Sequence, residues 1–183
     1  ETVRTLVEIS VDTNLAMAKE AAQRGIKIIY TGDDYAYNSG PMISPDQFRD
    51  IFFPGLKRVM RGYKELGLLI LKHTDGNIMP LIDMIIESGI DCLDPIDPIA
   101  GMDLAGIKKT YGGRICIKGN VDCAQTLTFG SVEDTVAETK SCLEIGMPGG
   151  GYILSSSNSI HSEVKPENYI ALVETAREYG KYT

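Results

Sequence analysis

Two hydrophobic patterns alternate along this chain. Short apolar runs give way to longer stretches in which apolar side chains recur every three or four positions. The clearest case is Leu68-Leu-Ile-Leu-Lys-His73-Thr-Asp75-Gly-Asn77. An apolar run stops abruptly in polar and ionisable residues, and Ile78, Leu81, Ile82, Ile85 and Ile86 then share one helical face. A strand apolar on both sides needs cover on both sides, which points to a parallel sheet with helices packed outside.

The rest of the chain repeats this unit. Residues 2–24 read as a helix with a discontinuous stripe of Val3, Leu6, Val7, Leu15, Ala18, Ala21 and Ala22, stopped by Gly25. A strand over 26–30 ends in Thr31-Gly-Asp33-Asp34-Tyr35. Ser44-Pro45-Asp46-Gln47 has the cap, first-position proline and capping-box glutamine of a helix start. That helix is expected to reach about Leu66 with a kink at Pro54. A short strand over 91–94, the loop Pro95-Ile-Asp97-Pro98 and a short helix near 103–111 follow. The next strand, 114–118, runs into Gly119-Asn120-Val-Asp122, and Ser131 caps a helix to about Ile145. Gly149 to Gly151 introduces a strand over 152–154 ending in Ser155-Ser156-Ser-Asn158-Ser-Ile-His161, and a last helix spans 166–179.

Strands alternating with helices mean an α/β fold with a parallel sheet. Each strand ends in polar residues, where such folds place their sites. A complete eight-stranded barrel takes about 250 residues. The chain therefore reads as a single domain over 1–183: the C-terminal part, about five βα units, of a TIM-type (β/α)8 barrel with its N-terminal strands missing. It opens at Glu1 without a methionine, consistent with an upstream portion. Open sheet edges invite pairing, so either that portion or a homodimer is expected to cover them.

Composition narrows the function. A net charge of −7, with no basic cluster in the sequence to offset it, argues against nucleic acid. No apolar run approaches the roughly 20 residues of a membrane helix. The four cysteines form no Cys-x-x-Cys pair, and Cys92 and Cys116 fall in strand-like runs, which suits buried thiols in a reducing cytoplasm.

The candidate chemistry sits at the strand ends. His73 and Asp75 lie on one side of an extended strand, because side chains alternate with period two. The pair suits a divalent ion, or an acid–base couple in which Asp75 orients His73; a loop histidine satisfied by a carboxylate is the alternative. Asp33 and Asp34 can hold a proton or a cation, or cap a turn. Asp94 and Asp97, set between prolines, read as loop-shaping. Asn120 and Asp122 aim polar groups at the mouth, although a turn explains them nearly as well. Ser156, Asn158 and His161 belong to a hydroxyl- and amide-rich loop suited to a polar ligand. Gly149 to Gly151 precedes a strand rather than a helix, so it lacks the dipole of a phosphate cradle.

Taken together, these residues resemble the uroporphyrinogen decarboxylase superfamily from about Gly32 to Lys181. The resemblance rests on Asp33-Asp-Tyr35, Ser44-Pro-Asp-Gln-Phe48 with Phe53-Pro54, His73-Thr-Asp-Gly-Asn77, Gly119-Asn-Val-Asp122 and Pro166-Glu-Asn168. That group includes the decarboxylase of haem synthesis and methyltransferases that move methyl groups between corrinoid proteins and thiols or other acceptors. The resemblance implies a (β/α)8-type barrel whose first strands, with the decarboxylase's arginine, aspartate and tyrosine, are absent here. It also implies departures. The decarboxylase's Gly-His-Gly position is Asn158 here, and a serine after the first strand of this segment is replaced near Asp33-Asp34. The thiol-activating methyltransferases hold zinc through His-x-Cys and a later cysteine, where this chain offers Asp75 and, later, serines and Asn158.

A mouth lined by Asp33, Asp34, Asp75, Asp94 and Asp122 would repel the many carboxylates of uroporphyrinogen. The expectation is a methyltransferase-like enzyme, with Asp33, Asp34, His73 and Asp75 catalytic. His73 and Asp75 would hold a divalent metal such as zinc, completed by Asp33 or Asp34. Tyr35, Asn120, Asp122, Ser156, Asn158 and His161 would contact a small-molecule substrate or a corrinoid-protein partner. The alternatives are a cofactor-free decarboxylase and a non-catalytic corrinoid- or tetrapyrrole-binding barrel.

Overall fold

The computed structural model describes residues 1–182 and resolves into two compact units, Glu1–Leu93 and the chain from Asp94 onward. The first begins with α1 (Thr2–Gln23) and turns through Gly25 into β1 (Ile28–Gly32). A small antiparallel pair follows, β2 (Ala36–Tyr37) with β3 (Gly40–Pro41). The expected helix start is in place: Ser44 Oγ accepts from the Gln47 N–H at 3.2 Å and opens α2 (Pro45–Gln47). A π-helical turn, Phe48–Phe52, then leads into α3 (Phe53–Glu65).

That turn stands in for the kink expected at Pro54. Proline has no N–H to give the carbonyl four residues back, so an α-helix would leave the Asp50 oxygen without its donor. The helix widens before the proline, and Arg4 of α1 donates to Asp50 O at 3.0 Å instead. Glycines bring the two helices close. A Cβ at Gly55 would lie 2.5 Å from Val7, and one at Gly62 would lie 2.3 Å from Leu15.

β4 (Leu69–His73) pairs in parallel with β1, from Ile28 opposite Leu69 to Gly32 opposite His73. α4 (Ile82–Glu87) follows, beginning later than the apolar spacing predicts, and then β5 (Cys92–Asp94). Ile70 and Lys72, on one face of β4, are buried, whereas Leu69 on the other face is 52% exposed, as are Ile28 and Tyr30 to similar degrees. The expectation of cover on both sides therefore holds for one face of this pair. In a closed barrel the other face is interior.

In the second unit Asp97 caps a short 3-10 turn, Pro98–Ala100. Asp103 caps α5 (Leu104–Tyr111) by accepting from the N–H groups of Ala105 and Gly106. β6 (Cys116–Val121) pairs in parallel with β7 (Tyr152–Ser156), up to Val121 opposite Ser156. The short α6 (Thr126–Phe129) and the longer α7 (Val132–Gly146) lie between them, the latter opened by a Ser131–Asp134 capping box. α8 (Pro166–Tyr179) closes the unit. Fully buried Asn168 pins its first turn by donating to the carbonyls of Thr126, Leu127 and Gly130.

The strands run β1-β4-β5-β6-β7 in one five-stranded sheet, the α/β architecture that the alternating pattern implies. Among the described residues no helix is long and apolar enough to cross a membrane. All four cysteines are thiols: Cys92, Cys123 and Cys142 are buried and Cys116 is half-buried.

Candidate functional site

Because β1 and β4 pair in register up to Gly32 and His73, their carboxyl ends stop side by side. The chain leaving each strand is then laced to the other. The Tyr35 N–H donates to Thr74 Oγ1 at 3.1 Å, the Asp75 N–H to Asp34 Oδ1 at 3.0 Å and the Asn77 N–H to Tyr37 O at 3.0 Å. Gly76 makes this approach feasible. It sits at φ +84°, and a Cβ there would lie 2.4 Å from the Ala36 carbonyl oxygen.

The lacing brings three ionisable side chains together. His73 Nε2 lies 3.5 Å from Asp75 Oδ1 and 3.9 Å from Asp34 Oδ1. Each of the three residues offers one ligand atom within 4.8 Å of the others. The His73 side chain is 20% exposed, so the imidazole reaches solvent instead of being walled in by hydrocarbon. The Tyr30 ring packs against it at 5.8 Å, tilted by 36°. One imidazole nitrogen and two carboxylate oxygens fit a divalent cation of the zinc, manganese or iron type. Three protein ligands with an open remainder is also the usual make-up of a catalytic zinc site.

Asp33 takes a different place. With Lys72 and Tyr35 it lines a cavity of about 450 Å³ walled mainly by apolar residues of α1 and α3. Lys72 is the residue that the sequence reading passed over; its only signal is one cation in an otherwise apolar strand. Its Nζ donates to Asp33 O at 3.0 Å and to His73 O at 2.8 Å, and stands 4.5 Å over the Tyr35 ring. Burial lowers its pKa to about 8, although Asp33 and Asp34 pull the other way. Burial, then Asp33, pushes the Tyr35 phenol above its ordinary range. The Tyr35 ring also meets Phe48 edge-on at 5.0 Å, so this side chain is mostly engaged in packing.

In the second unit the residues expected to contact substrate are engaged with the backbone. Asn120 belongs to β6, which extends beyond the predicted strand end, and is buried. Its Nδ2 donates to Ile96 O at 2.8 Å, and its Oδ1 accepts from the Cys142 thiol at 3.5 Å. Asp122 Oδ1 accepts from the N–H groups of Ala124 and Gln125 at 2.8 and 2.9 Å. For Asp122 these bonds match the turn alternative, and for Asn120 they engage both ends of the amide. Ser156 Oγ donates to Asn158 O at 2.7 Å, and Asn158 Oδ1 accepts from the Ser159 N–H at 2.7 Å. His161 is exposed, its Nδ1 accepting from the Glu163 N–H at 3.3 Å. Asp94 pairs with Lys118 at 2.6 Å, and Asp97 accepts from the Ile99 N–H, so neither stands as an open acid.

Comparison with known proteins bears on this geometry. The uroporphyrinogen decarboxylase (URO-D) family model matches residues 1–179, which extends the likeness through α1. A methylcobamide:CoM methyltransferase, MtaA, of Methanosarcina barkeri is 28% identical over 94% of this chain and 48% of its own length. A uroporphyrinogen decarboxylase of Legionella pneumophila (strain Corby) is 23% identical over 87% of this chain and 43% of its own. The solved structure of a methyltransferase from Methanosarcina mazei superposes with a TM-score of 0.78 at 25% identity, over 95% of this chain and 48% of that one. The chain thus spans about half the length of these relatives.

Proposed function

Since the chain belongs to the uroporphyrinogen decarboxylase family, we propose that it contributes the metal-holding half of a methyltransferase that works with a corrinoid. The observation that carries this reading is the convergence of Asp34, His73 and Asp75 on one small volume at the paired ends of β1 and β4. These three side chains would hold a divalent metal such as zinc. When bound, that metal would supply Lewis acidity to a methyl acceptor such as a small thiol.

The chain's own residues supply placement and charge. Asp75 is turned toward His73, while its backbone N–H holds the Asp34 carboxylate in reach of the same imidazole. A hydrogen bond from this amide keeps Asp34 oriented although that side chain is 48% exposed. Two carboxylates beside one imidazole make the locality acidic, which draws in cations and disfavours a substrate bearing several carboxylates. That balance favours methyl transfer over decarboxylation of an acidic tetrapyrrole, although the family contains both activities among the relatives compared.

The test is an incubation of the full-length protein with methylcobalamin and a small thiol such as coenzyme M, following loss of the methyl–cobalt absorbance. Methylated thiol is the expected product. Porphyrin formed from uroporphyrinogen in a parallel incubation would replace this reading with the decarboxylase. Corrinoid binding with no turnover of either substrate would replace it with a binding barrel.

A further inference from the structure

We propose that Lys72 is the positioning residue of this site: its ammonium ties the Asp33 and His73 carbonyls together and so sets the spacing between Asp34 and the His73–Asp75 pair. The inference rests on the metal-site reading above. Lys72 is only 1% exposed, in a strand where the apolar Leu69, Ile70 and Leu71 precede it. Burying an ammonium is costly unless its donors are matched. Its donors are matched by Asp33 O at 3.0 Å, His73 O at 2.8 Å and the face of Tyr35 at 4.5 Å. The two carbonyls belong to different strand ends. One precedes Asp34 and the other is that of His73 itself, so a single cation bridges the two backbones that present the ligand set.

Between the strand ends themselves, the Asp33 N–H to His73 O contact is long, at 3.4 Å. The last regular register pair is Gly32 with His73. Beyond it the regular ladder gives out, and Lys72 adds a buried tie to the hydrogen bonds that lace the two strand ends. Residues that hold ligands from behind in this manner usually change metal affinity about 10- to 100-fold when removed.

The sign of the effect separates positioning from simple charge. A buried cation near Asp33 and Asp34 opposes a second cation, so on charge alone its removal would tighten metal binding. Positioning predicts the reverse. The experiment is a calorimetric Zn²⁺ titration of full-length wild type, Lys72→Met and Lys72→Gln, each with a thermal melt in the absence of metal. Lys72→Met is expected to bind Zn²⁺ at least about 10-fold more weakly, a larger loss than any accompanying fall in Tm accounts for. Lys72→Gln, which keeps two amide donors, is expected to fall between. Wild-type affinity or better in Lys72→Met overturns the proposal, as does a loss of affinity that only parallels a fall in Tm in both variants. If Lys72→Met does not fold, Lys72→Gln decides: weaker binding at unchanged Tm supports the proposal, and undiminished binding overturns it. A wild-type protein that binds no Zn²⁺ refutes the metal reading itself, and this inference with it.

Discussion

The carboxyl ends of β4 and β6 carry similar inventories, His73-Thr-Asp75-Gly-Asn77 in one and Gly119-Asn120-Val-Asp122 in the other, yet their side chains meet different partners. At the end of β4, an imidazole meets carboxylates from its own loop and from the neighbouring strand end. At the end of β6, an amide and a carboxylate meet backbone groups within the same unit. On the proposed reading, a polar residue at a strand end serves chemistry when it is partly exposed and faces several ionisable side chains, as His73 does. It becomes architecture when its partners are backbone carbonyls and N–H groups left without a partner in the regular structure.

Substitutions can break that distinction if it is wrong. The largest effect is expected from His73→Ala, which should reduce thiol methylation by at least about 100-fold, more than removal of a mere supporting residue. Its melting temperature should stay near wild type, because the ring is partly exposed and outside the core. A kinetic assay paired with a melt checks both. Asn120→Ala should show the opposite profile. It leaves the Ile96 carbonyl without its donor in a buried setting, so denaturant unfolding should report a loss of about 2 kcal/mol, with turnover per folded molecule unchanged. Asp122→Ala removes the acceptor for two turn N–H groups and should lose about 1 kcal/mol by the same measurement.

A further effect is confined to the alkaline range. Burial above all, reinforced by Glu138, pushes the Cys142 thiol up to about 11 from an ordinary 9.0, against a hydrogen bond from the Asn120 backbone. The folded protein therefore holds this proton more tightly than the unfolded chain does. Its contribution to stability is complete below about pH 9 and is lost as pH rises toward 11. Cys142→Ala should flatten that part of a stability-against-pH curve. A curve unchanged by the substitution would mean that the thiol is less enclosed than the fold shows.

Much of this architecture is legible in sequence because it depends on local rules. The Ser44 and Ser131 caps, the final helix from Pro166 and the alternation of apolar runs with helical spacing each follow from residues close together in the chain. The His73–Asp75 pair is legible from nearness in the chain, although β4 ends at His73 and Asp75 lies in the loop after it. What escapes is whatever depends on a distant partner. Arg4 reaches the Asp50 carbonyl across 46 positions, and the β2–β3 pair has no apolar run to announce it. Asn120 reads as a mouth residue until the chain brings Ile96 and Cys142 to its amide. Lys72 reads as a stray charge until Asp33, Tyr35 and the end of its own strand enclose it. Asp33 and Asp34 are neighbours in sequence, but only the second joins the cluster with His73 and Asp75.

A titration of Zn²⁺ into full-length protein, repeated with Asp34→Asn, His73→Ala and Asp75→Asn, tests this most directly. The expected result is one tight site in the wild type that each substitution weakens severely, while Asp33→Asn and Asp122→Asn leave it intact. A wild-type protein without such a site, or one whose affinity survives loss of His73, would contradict the assignment.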